Sequence, residues 1–476
     1  MSLLFTGPAA LVVFGAAAIG FRRTPHVMAA VVVCGFAVQP TLVFFVSSSF
    51  GPAKDVIVLA GMLVLLFGVC FGLPPERRRY DAWLVGAIVL LLGMYVVNAA
   101  GTHAAQWSNG TRLVIEAFGL FLIGYLAPNP TRTWRWAVGA LLGVAVLNAL
   151  LGLAQQGIGV QRLVHQFGYQ FGDEVRTTAG GQFRSFGTLE DPFNYAALLA
   201  LALVCATLDL RRRGLAIGIA AILVLGIAVS FVRTEVILMA VILAIVLVRA
   251  RRVPSAVALL LATTVAALGL LTLLPQPSAS LTSRSSVLGT LNGRTTGWSE
   301  LLADPADLIA GRGVGAVGSG LARSASAGIY EPGHFKAGRA PAAASTEELR
   351  SVDSSYLATL ADVGLAGLVL LLVILGRMLF LMRLARPGPS AAMWIAVGLW
   401  LVVVLDATTR SSLTAFPYGF IAMYLLGLAL ARREGELTHA DPRSELPEVP
   451  AARTAVVAGW QYRPTQPVPA SALKAK

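Results

Sequence analysis

Residues 192–209 read PFNYAALLALALVCATLD, eighteen positions of which only the last carries a charge. A helix of that length covers roughly 27 Å at about 1.5 Å per residue, close to the thickness of a bilayer's hydrocarbon core. Asp191 and Pro192 give it a beginning, since an aspartate caps orphan amides and a proline is tolerated in the first turn. The stretch reads as one membrane crossing.

Runs of the same kind fill most of the first 430 residues: 3–20, 26–46, 55–73, 82–100, 112–127, 134–156, 192–209, 214–232, 234–249, 254–274, 355–381, 390–408 and 411–431. They predict an all-α, polytopic membrane protein with about 12–13 transmembrane helices and one large outward loop region. Composition agrees. With 56% hydrophobic and 13% charged residues over 476 positions and a mean hydropathy of +0.74, the chain is too apolar for a soluble multidomain enzyme. Its net charge of +13 does not make it a nucleic-acid binder, because the basic residues punctuate apolar runs instead of forming a stripe on a soluble domain. Cys34, Cys70 and Cys205 each lie inside an apolar run, far from any Cys or His at metal-ligand spacing, so neither a disulfide nor a metal site is expected.

Alternate connections carry the arginines: Arg22/Arg23, Arg77 to Arg79, Arg132/Arg135, Arg211 to Arg213, Arg249/Arg251/Arg252, Arg383/Arg386 and Arg432/Arg433. The other short connections hold only Lys54, Arg112, Arg233 and Arg410. Basic loops stay cytoplasmic, which predicts a cytoplasmic C-terminus. The first run lacks a preceding basic segment and is expected to remain as a helix. The organisation is then N-terminal helices over 1–156, an outer loop over 157–191, central helices over 192–274, a large outer loop over 275–354, C-terminal helices over 355–431 and a tail over 432–476. Pro442, Pro447, Pro450, Pro464, Pro467 and Pro469, with no apolar period around them, predict disorder in that tail.

Within the large loop, IAGRGVGAVGSG at 309–320 sets Gly313, Gly315 and Gly318 at the G-x-G-x-x-G spacing. A dinucleotide site needs a strand before that pattern and a helix after it. Neither is legible here, so a tight outward turn is expected. Around the turn run NGRTTGWSELL from 292 and VDSSYLATLADVGLAGL from 352; upstream stand RSFGTLEDPFNY from 184 and SFVRTEVIL from 230. In this order the four stretches, over about residues 180–430, resemble the O-antigen ligase and O-antigen polymerase family of membrane glycosyltransferases. Gly293-Arg294, Trp298, Gly311/Gly313/Gly315 and Asp353-Ser354 fall on that family's outer-loop features, Arg184 and Asn194 on its Arg and Pro-Asn stretch, and Arg233 on its Ser-Arg pair. Asp353-Ser354 stands where the ligases carry His-Asn, and Val232 where a serine precedes the arginine, which favours a polymerase-like member.

The resemblance implies a bacterial inner-membrane enzyme with an outward site, moving glycan from an undecaprenyl (polyprenyl) diphosphate carrier to a glycan or lipid-glycan acceptor, with no metal or cofactor. Arginine suits such a donor, because its guanidinium stays charged and forks onto phosphate oxygens. Arg233 and Arg294, with Arg184 beside them, are the expected diphosphate ligands. Asp353 is the candidate base, and it reads equally as the N-cap of the helix that follows. Glu190 and Asp191 come next, with the same alternative. Trp298 and Tyr356 are expected either to stack on sugar or to pack against helix ends. His165 and His334 read as loop-surface residues. The outer loop's seven basic and seven acidic residues balance, which speaks against a general polyanion patch. The rival reading is a flippase or other polysaccharide transporter, but the inverted repeats common in carriers are not visible.

Overall fold

The computed structural model describes residues 3–47, 50–70, 80–99, 104–169, 175, 183–189, 191–210, 212–232, 235–236, 240, 244, 305–315, 354–384 and 390–439. The helices among them are α1 (Leu3–Arg23), α2 (Pro25–Phe45), α3 (Ala53–Cys70), α4 (Ala82–Val97), α5 (Ala104–Tyr125), α6 (Pro130–Ile158), α7 (Val160–Phe167), α8 (Pro192–Asp209), α9 (Arg213–Val229), α10 (Pro305–Ala310), α11 (Ser355–Leu384), α12 (Ala391–Thr409) and α13 (Tyr418–His439). A 3-10 turn, Ser412–Thr414, precedes α13. Five of them, α2, α6, α8, α11 and α12, are long and apolar enough to cross a membrane. The protein is helical and membrane-embedded in character, and most of the expected crossings appear as helices. The runs 234–249 and 254–274 and most of the loop 275–354 lie outside the described residues, apart from positions 235–236, 240, 244, 305–315 and 354.

Three boundaries differ by seven or eight residues from the sequence reading. α5 starts at Ala104, eight residues before the apolar run, because Trp107 and Thr111 in its polar first turns both donate to the Tyr95 carbonyl. α13 starts at Tyr418 because the 3-10 turn Ser412–Thr414 occupies its expected beginning. It also runs on to His439, into the expected tail. Polar contacts hold that extension: Arg432 donates to Asp209, Arg433 to Ser390, and Glu434 accepts from Tyr125.

Those bonds belong to one end of the bundle. There Trp134 at the start of α6 donates to Asp209 at the end of α8, and Arg377 near the end of α11 pairs with Asp81 ahead of α4. The opposite end joins the start of α8, the end of α12 and the start of α11, where Arg410 bonds Asn194 and Ser355 donates through N–H and hydroxyl to the Arg410 carbonyl. Consecutive long helices thus run up and down between two polar layers.

α8 is apolar on every side, and a helix of that kind must be enclosed. Every residue from Asn194 to Ala206 is buried. Inside lipid, helices associate by close packing and not by escape from water, so small residues mark the tightest contacts. α5 and α13 approach through Gly124 and Gly427: a Cβ on Gly427 would collide with the Phe121 carbonyl, and one on Gly124 with that of Tyr424. On the outside, Leu365, Val369, Leu372 and Val373 of α11 are each about half exposed, an apolar stripe suited to acyl chains.

Candidate functional site at the Arg410 cluster

The segment 183–189 sets up one wall. Its backbone is not helical, and such backbone at depth needs partners for every amide and carbonyl. α6 supplies them. Gln155 accepts from the amides of Phe186 and Gly187 at 3.1 and 3.0 Å and returns a bond to the Gly187 carbonyl. Asn148 accepts from the Thr188 amide at 2.7 Å, and Gln156 donates to the Phe183 carbonyl and the Ser185 hydroxyl. The Ser185 amide in turn donates to Val229, the last residue of α9. Gly187 takes a φ of 60°, and a Cβ there would collide with the Asn148 carboxamide. The segment therefore leads into Asp191, which caps α8 by accepting from the amides of Phe193 and Asn194. Arg184, carried by the same segment, has its guanidinium 5.7 Å from the ring centre of Phe193.

Beyond that cap lies the densest group of buried charge at this end. Arg410, one residue past α12, forks onto Asp406, with Nε and Nη2 at 2.6 and 2.8 Å from the two carboxylate oxygens. Its Nη1 donates to the side-chain oxygen of Asn194 at 3.2 Å, and its guanidinium stacks 4.8 Å from the Tyr418 ring centre. Nε also lies 3.7 Å from Glu235 Oε1. Asp406 is fully buried and Glu235 is 1% exposed. One guanidinium thus faces two acidic side chains, Asp406 and Glu235, among the described residues of this group.

A second group abuts the first. Lys54 at the start of α3 pairs with Asp55 and, at 2.8 Å, with Glu116 of α5, while Arg112 reaches Asp55 at 3.1 Å. Here the charges balance. The ammonium of Lys54 sits 5.3 Å from the ring centres of both Phe416 and Phe420. Phe416 joins the groups, because its carbonyl accepts from the Asn194 side chain at 3.2 Å.

The described part of the glycine stretch, up to Gly315, is a turn, and Gly318 lies outside the described residues. Gly311, Gly313 and Gly315 have φ values of 76°, 94° and 81°. It is folded down against α11, where Gly364 at φ 71° breaks the helix and frees the carbonyls of Ala361 and Asp362. The Arg312 amide takes the first at 2.7 Å and the Asn98 side chain takes the second at 2.6 Å. The Gly315 amide donates to the Asp362 carboxylate at 3.1 Å. A Cβ on Gly311 would stand 2.7 Å from the Gly364 nitrogen, so glycine at 311 is required by the approach of two backbones.

Of the residues singled out from sequence, Asn194 and Asp191 meet at the Arg410 group, the latter as a helix cap. Tyr356 is half-buried and spends its hydroxyl on the Val404 carbonyl at 2.9 Å. His165 is exposed on α7. Arg233, Arg294, Trp298, Glu190, Asp353 and His334 lie outside the described residues. Two neighbours in sequence are described: Glu235, two positions after Arg233, and Ser354, next to Asp353, whose hydroxyl bonds the Ala407 carbonyl one residue past Asp406. The Arg410 and Asp406 pair was visible as an i, i+4 spacing at a helix end. Its place as the meeting point of three distant stretches was not. Searches against protein-family models and against curated proteins gave no match for this chain.

Proposed function

We propose that this chain is a membrane glycosyltransferase of the O-antigen polymerase and ligase type, transferring glycan from a polyprenyl diphosphate carrier on the outer face of a bacterial inner membrane, with the C-terminus in the cytoplasm. The supporting observation is the meeting at Arg410 of stretches that are far apart in sequence: Asn194 after the Arg184 segment, Glu235 after Arg233, and Ser354 and Ser355 after Asp353. Buried charges within a membrane are costly and mark substrate paths. In this reading Arg184, Arg233 and Arg294 hold the diphosphate, and no metal or nucleotide is needed.

The test is glycan transfer by the purified chain from undecaprenyl-diphosphate-linked oligosaccharides, with divalent cations chelated. Transfer that persists under chelation and falls at least tenfold in Arg233→Ala and Arg294→Ala supports the reading. Movement of the lipid between leaflets without any transfer identifies a flippase and overturns it.

A further inference from the structure

Seven carboxylates are described near the end of the bundle that carries Arg410, and six of them are committed. Asp55 and Glu116 are held by Lys54 and Arg112, Asp191 caps α8, Asp307 pairs with Arg312, Asp362 accepts from the Gly315 amide, and Asp406 is gripped by the Arg410 fork. Glu235 differs. Its Oε1 lies 3.7 Å from Arg410 Nε and its carboxyl adjoins that of Asp406, while its Oε2 is buried with no hydrogen-bond partner among the described residues. Leaving a buried acceptor unmade costs about 1–3 kcal/mol, and more for a charged group. A side chain kept only to balance Arg410 would have its oxygens satisfied as those of Asp406 are. The groups facing Glu235 are Asp406 from α12, Arg410 just past it, Tyr418 from α13 and Asp191 ahead of α8.

We infer that Glu235 is the general base of the transfer proposed above, with Oε2 as the proton acceptor and Arg410 and Asp406 as positioning residues; the assignment rests on that reading. The acceptor hydroxyl oxygen bonds to the anomeric carbon of the donor. The bond from that carbon to the diphosphate oxygen breaks, and its electron pair leaves with polyprenyl diphosphate. The hydroxyl proton passes to Glu235 Oε2 and from there to water. The products are the new glycoside, the free carrier and one proton. Asp353, the sequence candidate, is not the base in this assignment.

The experiment compares wild type, Glu235→Gln, Glu235→Ala and Asp353→Asn, each as the full chain in lipid nanodiscs. Turnover is read with undecaprenyl-diphosphate-linked oligosaccharide as donor, and binding with undecaprenyl diphosphate alone. A positioned base is worth about 10²- to 10⁴-fold in rate, so Glu235→Gln is expected to lose that much turnover while still binding the carrier. Added formate is expected to restore part of the turnover of Glu235→Ala, which a merely structural glutamate would not permit. Wild-type turnover in Glu235→Gln, or loss in Asp353→Asn alone, overturns the base and leaves the transferase reading standing. A folded wild type that transfers nothing overturns the reading and the base with it.

Discussion

Arg410 and Asp406 form a two-pronged ion pair across one turn at the end of α12, with both carboxylate oxygens engaged. The pair is what lets charge sit there at all, since Asp406 has no exposed surface and Glu235 has almost none. Removing one partner of a buried pair strands the other, at a cost of about 3–5 kcal/mol. Arg410→Ala is therefore expected to lower unfolding stability in detergent by that amount. Arg410→Lys keeps the charge but not the fork, and it gives up the bond to Asn194, so an intermediate loss is expected. Equal stability of wild type and Arg410→Ala in chemical unfolding would contradict the pair's role.

A second prediction concerns Gly427. Its α-carbon faces the Phe121 carbonyl across the α5 and α13 crossing, with no room for a methyl group. Gly427→Ala is expected to push the helices apart and to cost about 1–3 kcal/mol, the usual range for overpacking. Gly376 on α11 is the control, because a Cβ there meets nothing within 4 Å. Gly376→Ala should be neutral or stabilise by up to about 1 kcal/mol through its better helix propensity. Melting temperatures of the two variants that move together would show that packing at Gly427 does not decide the outcome.

The same physics separates what was legible in the sequence from what was not. Apolar runs reported the crossings because burial in lipid or protein demands uncharged length, and Asp191-Pro192 reported the start of α8 because capping is local. Helix turns that stay polar escape such a reading: 104–111, AAQWSNGT, is helical through contacts with Tyr95 that no run of apolar residues records. The glycine turn was readable as a turn, but its docking onto the Gly364 break was not, because both surfaces are backbone. Asn148 and Gln155 did leave a trace, two amides seven positions apart on one face of a helix that is otherwise apolar from 136 to 154. They hold the 183–189 segment. The bond from Arg410 to Asn194 spans 216 positions of sequence and is a product of the fold alone.

The last prediction lies at the other end of the bundle. Asp81 caps α4 by accepting from the Leu84 amide at 2.7 Å and pairs with Arg377 of α11. Burial alone would raise its carboxyl, but the bonds from Arg377 and Leu84 and the Arg377 charge outweigh it and hold the group below the ordinary carboxylate range. A carboxylate depressed in the folded state contributes stability that is complete above its unfolded value, about 3.9, and is lost as pH falls through the lower folded value. Wild type is therefore expected to exceed Asp81→Asn in stability by a constant margin from pH 7 to about pH 5, and that margin is expected to shrink below about pH 4. Unfolding curves for the two chains at pH 7, 5, 4 and 3 measure it. A margin that stays constant down to pH 3 would mean that the clasp between α4 and α11 does not depend on the charge of Asp81, and that the hydrogen bonds a neutral side chain can make at this position suffice to hold these helices together.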